Sequence, residues 1–442
     1  MATAKIPKRV STGLINALGA GVVPRVGLEH IAVGRETEIK TLLQDLSNIG
    51  EGGAAFRFVV GRYGAGKSFI LQLIRNQAME QGFVVADADL SPERKLAGGG
   101  GSSVATYRAL MQNLSTKIRP EGGALAPILE RWIAGIQTQV AEETGKRPND
   151  EGFDDQVEAK IREVVKQMED LVNGFEFANV IIAYWVGYRT DDETKKDAAL
   201  RWLRGEFATK TEARAALGVR VIIDDENWYD YLKVLAKFVA GIGYQGMLIL
   251  LDEAVHLYKI TTAVSRQNNY DKLLLMFNDA MQGRTSHLGI LIGGTPQFIE
   301  DSRRGLYSDP AWQRRTTKSR FVKAGFQDLS GPVVQLEPLT RSEILKLLER
   351  LADVHYHHYG SQTSVKVADL EAFLQEIVKR LGAEALLTPG EIVRDFMSVL
   401  GVLHQNPKLS LHQVISGSGL QTTASKQGLK TDDSGEFAEF TV

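Results

Sequence analysis

The chain of 442 residues contains no cysteine. Disulfides and thiolate metal sites are therefore excluded. No apolar run approaches the ~18–20 residues that a membrane helix needs; stretches such as Val180–Val186 and Met247–Leu251 have the size of buried core segments. Neither charge is in excess: 52 Lys and Arg face 54 Asp and Glu, a net charge of −2. No uniform basic coat advertises nucleic acid, so any such contact must be local. Lys5, Lys8 and Arg9 ahead of Leu14–Leu18 only faintly imitate a signal peptide, because Asn16, Gly19 and Gly21 interrupt the apolar part. The chain reads as intracellular and cytoplasmic, with no membrane partner. Hydrophobic residues (43%) and charged residues (24%) have the proportions of a soluble globular protein. The length implies about two to four packing units.

The most informative segment is Gly61-Arg62-Tyr63-Gly64-Ala65-Gly66-Lys67-Ser68, which fits G-x-x-x-x-G-K-[ST] and follows the apolar run Phe56–Val60. A strand entering a glycine-rich turn that opens a helix forms a phosphate cradle. Gly61, Gly64 and Gly66 let backbone N–H groups turn toward phosphate oxygens, together with those of Tyr63, Ala65 and Phe69. The helix beginning after the turn offers its positive end to the same anion. Lys67 reaches toward the terminal phosphates, and Ser68 supplies a hydroxyl for Mg²⁺. ATP and Mg²⁺ are the expected ligands.

A second apolar strand, Met247–Leu251, ends in Asp252-Glu253. Asp252 is expected to share the Mg²⁺ shell with Ser68, and Glu253 to orient or deprotonate a water. The alternative is a pair of acids capping the next helix. Thr295 ends a further strand, Leu288–Ile292, and could touch the water or the γ-phosphate, or simply cap a turn before Pro296. Asp87 and Asp89 end the strand Phe83–Leu90, expected beside the phosphate loop; they could be outer partners of Mg²⁺ or capping acids.

Strands alternating with helices argue for an α/β fold with a parallel sheet and its ligand at the carboxyl ends. We expect a lead-in over residues 1–30 with a short helix near 12–18. Residues 31–117 and 221–338 form the nucleotide-binding base, with Val333–Leu336 as the last strand. Gly98–Ser103 reads as a flexible loop, followed by a helix over Tyr107–Lys117. Residues 118–220 carry apolar positions at helical spacing (Ile128, Ile133, Ile136; Val157, Ile161, Val164, Val165, Met168, Leu171) and read as a large helical insertion of three to five helices. Residues 339–406 read as an all-helical lid, and 407–442 as a flexible tail. The His355–Tyr359 cluster is read as helix-end packing rather than a metal site, and the five tryptophans as packing anchors.

These residues resemble an AAA+ P-loop ATPase over about residues 20–400. Gly61–Ser68 matches Walker A, Leu248–Glu253 Walker B, and Thr295 falls at sensor 1. Val33-Gly34-Arg35-Glu36 is similar to the segment that touches adenine in one branch of that class. Thr388–Arg394 resembles the sensor 2 helix, which implies Arg394 as an arginine facing the γ-phosphate. More narrowly, Gly21–Pro24, Asp89–Arg94 and Tyr107–Leu114 are similar to the BrxD-like ATP-binding proteins of BREX phage-defence loci. That resemblance implies ATPase activity, antiviral defence and a helicase-like partner.

From Arg303 to Lys323 the chain also carries Arg304, Arg314, Arg315, Lys318 and Arg320. In AAA+ proteins this region supplies an arginine to a neighbouring subunit's γ-phosphate, which implies a homo-oligomer; Ser319-Arg320-Phe321 makes Arg320 the first candidate, then Arg314 and Arg315. A solvated basic helix end and a contact with the DNA backbone are the alternatives. The leading function is an oligomeric ATPase working with DNA or a DNA-processing partner. A nucleotide-dependent switch with little turnover that recognises a protein partner is the second, and a small-molecule kinase the third.

Overall fold

The computed structural model describes residues 6–169, 171–317, 328–360, 365–381 and 388–416. It divides into two compact units, Arg35–Glu337 and a second formed by Met1–Gly34 with Pro338–Val442.

The first unit is built on a five-stranded sheet: β1 (Ala54–Val60), β2 (Val84–Asp89), β3 (Met247–Asp252), β4 (Leu288–Gly294) and β5 (Val333–Gln335). All neighbours run parallel, in the order β2-β3-β4-β1-β5. Successive side chains of a strand point to opposite faces, and here both faces are buried. Phe56, Phe58, Val84, Ala86, Ile249, Leu251, Ile290 and Ile292 line one core. Ala55, Val59, Val85, Leu248, Leu250 and Leu291 line the other, under the helices Glu36–Gly50 and Lys67–Glu80. Double burial explains why the strands read as continuous apolar runs.

Between β2 and β3 the described residues form a helix over Ser102–Gln112, five more over residues 125–217, and Trp228–Gly241. The five helices over residues 125–217 are not a separate body. Their buried residues, including Ile128, Ile133, Ile136, Val157, Ile161, Trp185 and Trp202, join the first sheet core in one apolar cluster. Trp185, Trp202, Trp228 and Trp312 are fully buried, as packing anchors should be.

The segments on either side of β2 depart from expectation. Gly98–Ser103 is not a loose loop. Asn269, itself fully buried, accepts the N–H groups of Leu96 and Ala97 and donates to the Ala97 carbonyl. At the other end the Asp225 carboxylate accepts from Gly101, Ser103 and Val104, capping a helix that starts at Ser102 and ends by Gln112 rather than Lys117. Nor does β2 lie beside the phosphate-loop strand: β3 and β4 stand between them. Asp87 instead accepts from Arg75 Nε (2.9 Å), whose guanidinium also donates to Ser115 Oγ (2.7 Å) and the Pro120 carbonyl (2.6 Å).

In the second unit, the helix Lys8–Gly19 packs on Arg341–Tyr359 and Pro389–Gln405. Leu14 and Leu18 are buried there, and Ser11 Oγ lies 2.8 Å from His358 Nδ1. The expected boundary at residue 30 therefore does not separate a lead-in from the later helices. The helices continue past 406 as well: Leu411–Ser416 packs on Val367–Leu381 and Pro389–Gln405 with Leu411 and Ile415 buried, so the expected flexible tail does not begin at 407, and its remainder, 417–442, lies outside the described residues. Helix Arg341–Tyr359 begins with a full capping box between Thr340 and Glu343. His355 is buried among Tyr359 and His404, and burial pushes its pKa down to about 4, so the ring is neutral.

The Arg75 side chain is 1% exposed. Removing one partner of a buried, hydrogen-bonded ion pair leaves the other charge uncompensated. Arg75→Ala should lower the free energy of unfolding by about 3–5 kcal/mol, measured by urea denaturation; a loss under about 1 kcal/mol would show that water replaces the guanidinium.

Candidate functional site: a phosphate loop and an acid pair

The turn between β1 and the helix Lys67–Glu80 is set by glycine. Gly64 (φ +75°) and Gly66 (φ +94°) occupy the left-handed region, which other residues enter at a cost. The Gly61 N–H donates to the Gly294 carbonyl of β4 (3.2 Å), fixing the base of the turn to the sheet. The Ala65 N–H returns to the Arg62 carbonyl, and Ile70 N–H to Gly66. Among the described residues, the N–H groups of Gly64, Gly66, Lys67, Ser68 and Phe69 have no partner. Donors clustered at a helix start and left without acceptors are what an anion requires, so this turn fits a phosphate chain. The Phe69 side chain packs against the core below, and Tyr63 projects from the turn, 87% exposed.

Lys67 Nζ donates to the carbonyls of Gly61 (3.1 Å) and Arg62 (3.0 Å), folding the side chain back over the turn. Burial pulls its pKa down, and the charges of Asp252 and Glu253 oppose that shift. Ser68 Oγ donates to Asp252 Oδ2 at 2.5 Å. The other oxygen, Asp252 Oδ1, accepts the N–H of Glu253 at 2.8 Å. Glu253 itself takes a left-handed φ of +58°, rare for a residue with a side chain. Burial is the main cause that raises the Glu253 pKa; Asp252 adds to it, while Lys67 and His256 act against it. A hydroxyl and a carboxylate in contact at a helix start, with a half-buried second acid adjacent, can hold a divalent cation and move a proton. Asp89, paired in register with Asp252, is exposed; its charge also raises the Glu253 pKa.

The remaining expected residues fall variously. Arg35 is buried; its Nη1 lies 3.4 Å from Glu38 Oε1 and its Nη2 donates to the Ala65 carbonyl at 3.4 Å, so it braces the phosphate loop. Val33 and Gly34 belong to the other unit, where Gly34 (φ +68°) lies so close to Glu343 that a Cβ would come within 2.7 Å. Thr295 caps the short helix Pro296–Glu300, its Oγ1 accepting from Phe298 N at 3.4 Å, which is the turn role weighed against contact with the γ-phosphate. Arg394 lies 3.7 Å from Asp395 and against Gly21 within its own unit.

Of the arginines after β4, Arg304 is spent internally, donating to the carbonyls of Tyr258 and Ile260 and lying over the Tyr258 ring. Arg315 is spent too: it donates to Ala311 O and Asn278 Oδ1 and lies over Phe277. That removes Arg315 as an outward-facing candidate. Arg314 is exposed and unpaired among the described residues. Its helix, Pro310–Thr316, is anchored by buried Trp312, which packs on Phe56, Phe58 and Phe277. Arg320 lies outside the described residues.

Sequence reasoning passed over Gly293 and Gly294. The available signal was two glycines within a buried strand, which mark close approach of another group.

The parallel sheet, the glycine turn and the acid pair define an α/β protein of the P-loop type. The chain belongs to the family described as the BREX system ATP-binding protein BrxC/D, whose model matches residues 6–418. Membership brings an ATP-binding role in phage defence. No curated relative matches the chain. Among the described residues, no helix is long and apolar enough to cross a membrane.

Because the folded state favours protonated Glu253, that group's contribution to stability is complete below the ordinary glutamate value of 4.5 and is lost as pH rises through the raised value. Glu253→Gln should therefore melt above the parent at neutral pH, with the difference closing below pH 4.5. Identical melting at both pH values would mean that the carboxylate is not desolvated.

Proposed function

We propose that the chain is an AAA+ ATPase that hydrolyses ATP with Mg²⁺, assembles with copies of itself, and acts with DNA or a helicase-like partner in antiviral defence. The observation that carries this reading is the 2.5 Å contact between Ser68 and Asp252, with Glu253 next in the chain. A carboxylate and a hydroxyl held together at the mouth of a phosphate cradle suit Mg²⁺, which when bound would neutralise charge developing on the phosphates. Lys67 has only loop carbonyls to exchange for phosphate oxygens. Glu253, its pKa raised by burial, is tuned toward proton transfer from water. Arg314 supports completion of the site between subunits, because its exposed guanidinium has no partner among the described residues. Arg320 is the other candidate.

A nucleotide-dependent switch is the second reading. It is favoured by the single apolar cluster that joins residues 125–217 to the sheet, through which a shift at β3 or β4 would reach a protein-binding surface.

Lys67→Ala should abolish the rise in melting temperature that Mg-ATP gives the parent; an unchanged rise would remove Lys67 from the site. Glu253→Gln should keep ATP binding and lose at least ~100-fold in turnover. Parent turnover that is very slow and indifferent to DNA would favour the switch. Arg314→Ala and Arg320→Ala separate the arginines: the one that acts between subunits should lose about a thousandfold in turnover with binding intact. If neither does, and Glu253→Gln stays monomeric with ATP, completion by a second copy is wrong.

A further inference from the structure

Asp252 reaches the phosphate loop from a strand that is not its neighbour. β3 pairs with β4, and β4 with β1; the first register ends at Leu251 opposite Ile292, and the second runs through Val59 opposite Gly293 to Val60 opposite Gly294. The Asp252 side chain must therefore pass over the end of β4 to meet Ser68. The residue it passes is Gly293. A Cβ placed on Gly293 would lie 2.1 Å from Asp252 Oδ1, 3.0 Å from its Cγ and 3.1 Å from Leu71 Cδ1. The first of these is far inside contact distance. The carboxylate has no spare direction in which to yield, because Oδ2 is held by Ser68 and Oδ1 by the Glu253 N–H. The Gly293 carbonyl also accepts the Ala254 N–H at 3.0 Å, pinning the chain on the far side of Glu253. The backbone of Gly293 is not left-handed, so space and not torsion demands glycine here.

We infer that Gly293 is a positioning residue for the acid pair: its bare α-carbon is the gap through which the Asp252 carboxylate crosses β4 to Ser68, and any side chain there uncouples the acids from the phosphate loop. This rests on the ATP and Mg²⁺ reading for its consequence, though not for its geometry. Gly289 serves as the control. It lies about 13 Å back along the same strand, and a Cβ there would press on Ile49 Cδ1 (2.5 Å) and Leu248 Cδ1 (2.8 Å), the ends of flexible side chains remote from the acids.

The experiment compares parent, Gly293→Ala and Gly289→Ala for ATP affinity in EDTA and in Mg²⁺, and for melting temperature without nucleotide. Gly293→Ala should keep its affinity in EDTA and lose about tenfold or more of the gain that Mg²⁺ confers; Gly289→Ala should keep that gain. The melting measurement is repeated in an Asp252→Ala background, where the Gly293→Ala drop should shrink because the clashing carboxylate is gone. A soluble double variant beside an insoluble Gly293→Ala has the same meaning. Parental Mg²⁺ dependence in Gly293→Ala, or an equal drop in both backgrounds, overturns the inference. If the parent binds no ATP, the nucleotide reading fails, and the melting comparison still decides the contact.

Discussion

The contact between the Ser68 hydroxyl and the Asp252 carboxylate joins segments 184 residues apart and determines what the carboxyl edge of the sheet can do. It bridges β1 and β3 across β4, so the phosphate loop and the acid pair are held by different strands of a rigid layer. Hydrogen bonds involving a charged partner are the stronger kind, and this one is supported from several directions. Gly294 fixes the base of the loop, Arg35 braces its Ala65 carbonyl, and the Glu253 N–H holds the second carboxylate oxygen. The left-handed turn at Glu253 stores strain where chemistry is expected, paired with a pKa raised mainly by burial.

The same edge carries a second layer of control. The short helix Val255–Lys259 follows the acids directly and is tied to the segment after β4: Tyr258 donates to Asp301, and Arg304 donates to the Tyr258 and Ile260 carbonyls. Arginines that look interchangeable in sequence are thus divided by what they touch. Arg304 and Arg315 are structural struts, whereas Arg314, on a helix anchored by Trp312, points into solvent.

Much of this was legible because motif and strand coincide. The phosphate loop, both apolar strands and the Asp252-Glu253 pair are local patterns with local causes. Strand order is not local, and Asp87 was placed near the site only because its strand follows the loop in sequence; in the sheet it lies at the far edge, occupied by Arg75. Gly98–Gly101 looked loose because composition cannot show Asn269 and Asp225, which hold its two ends from more than 120 residues away. The N-terminal helix seemed peripheral because its partners, Arg341–Tyr359 and Pro389–Gln405, lie at the other end of the chain. The outward direction of Arg314 was within reach: Trp312 and Thr316 are four apart and both buried, which turns residue 314 away from them.

One consequence follows from the continuity of the apolar cluster that runs from the sheet into the helices of residues 125–217. An appended recognition module can be excised and leave its host intact. Here excision would uncover Phe238 and Tyr231 of the helix Trp228–Gly241, on which Trp132, Phe177 and Trp202 pack, and present that greasy helix face to water. A shortened version built around the glycine turn would carry that bare face as an aggregation liability, so those helices and the one beneath them belong to the same hydrophobic unit as the strands.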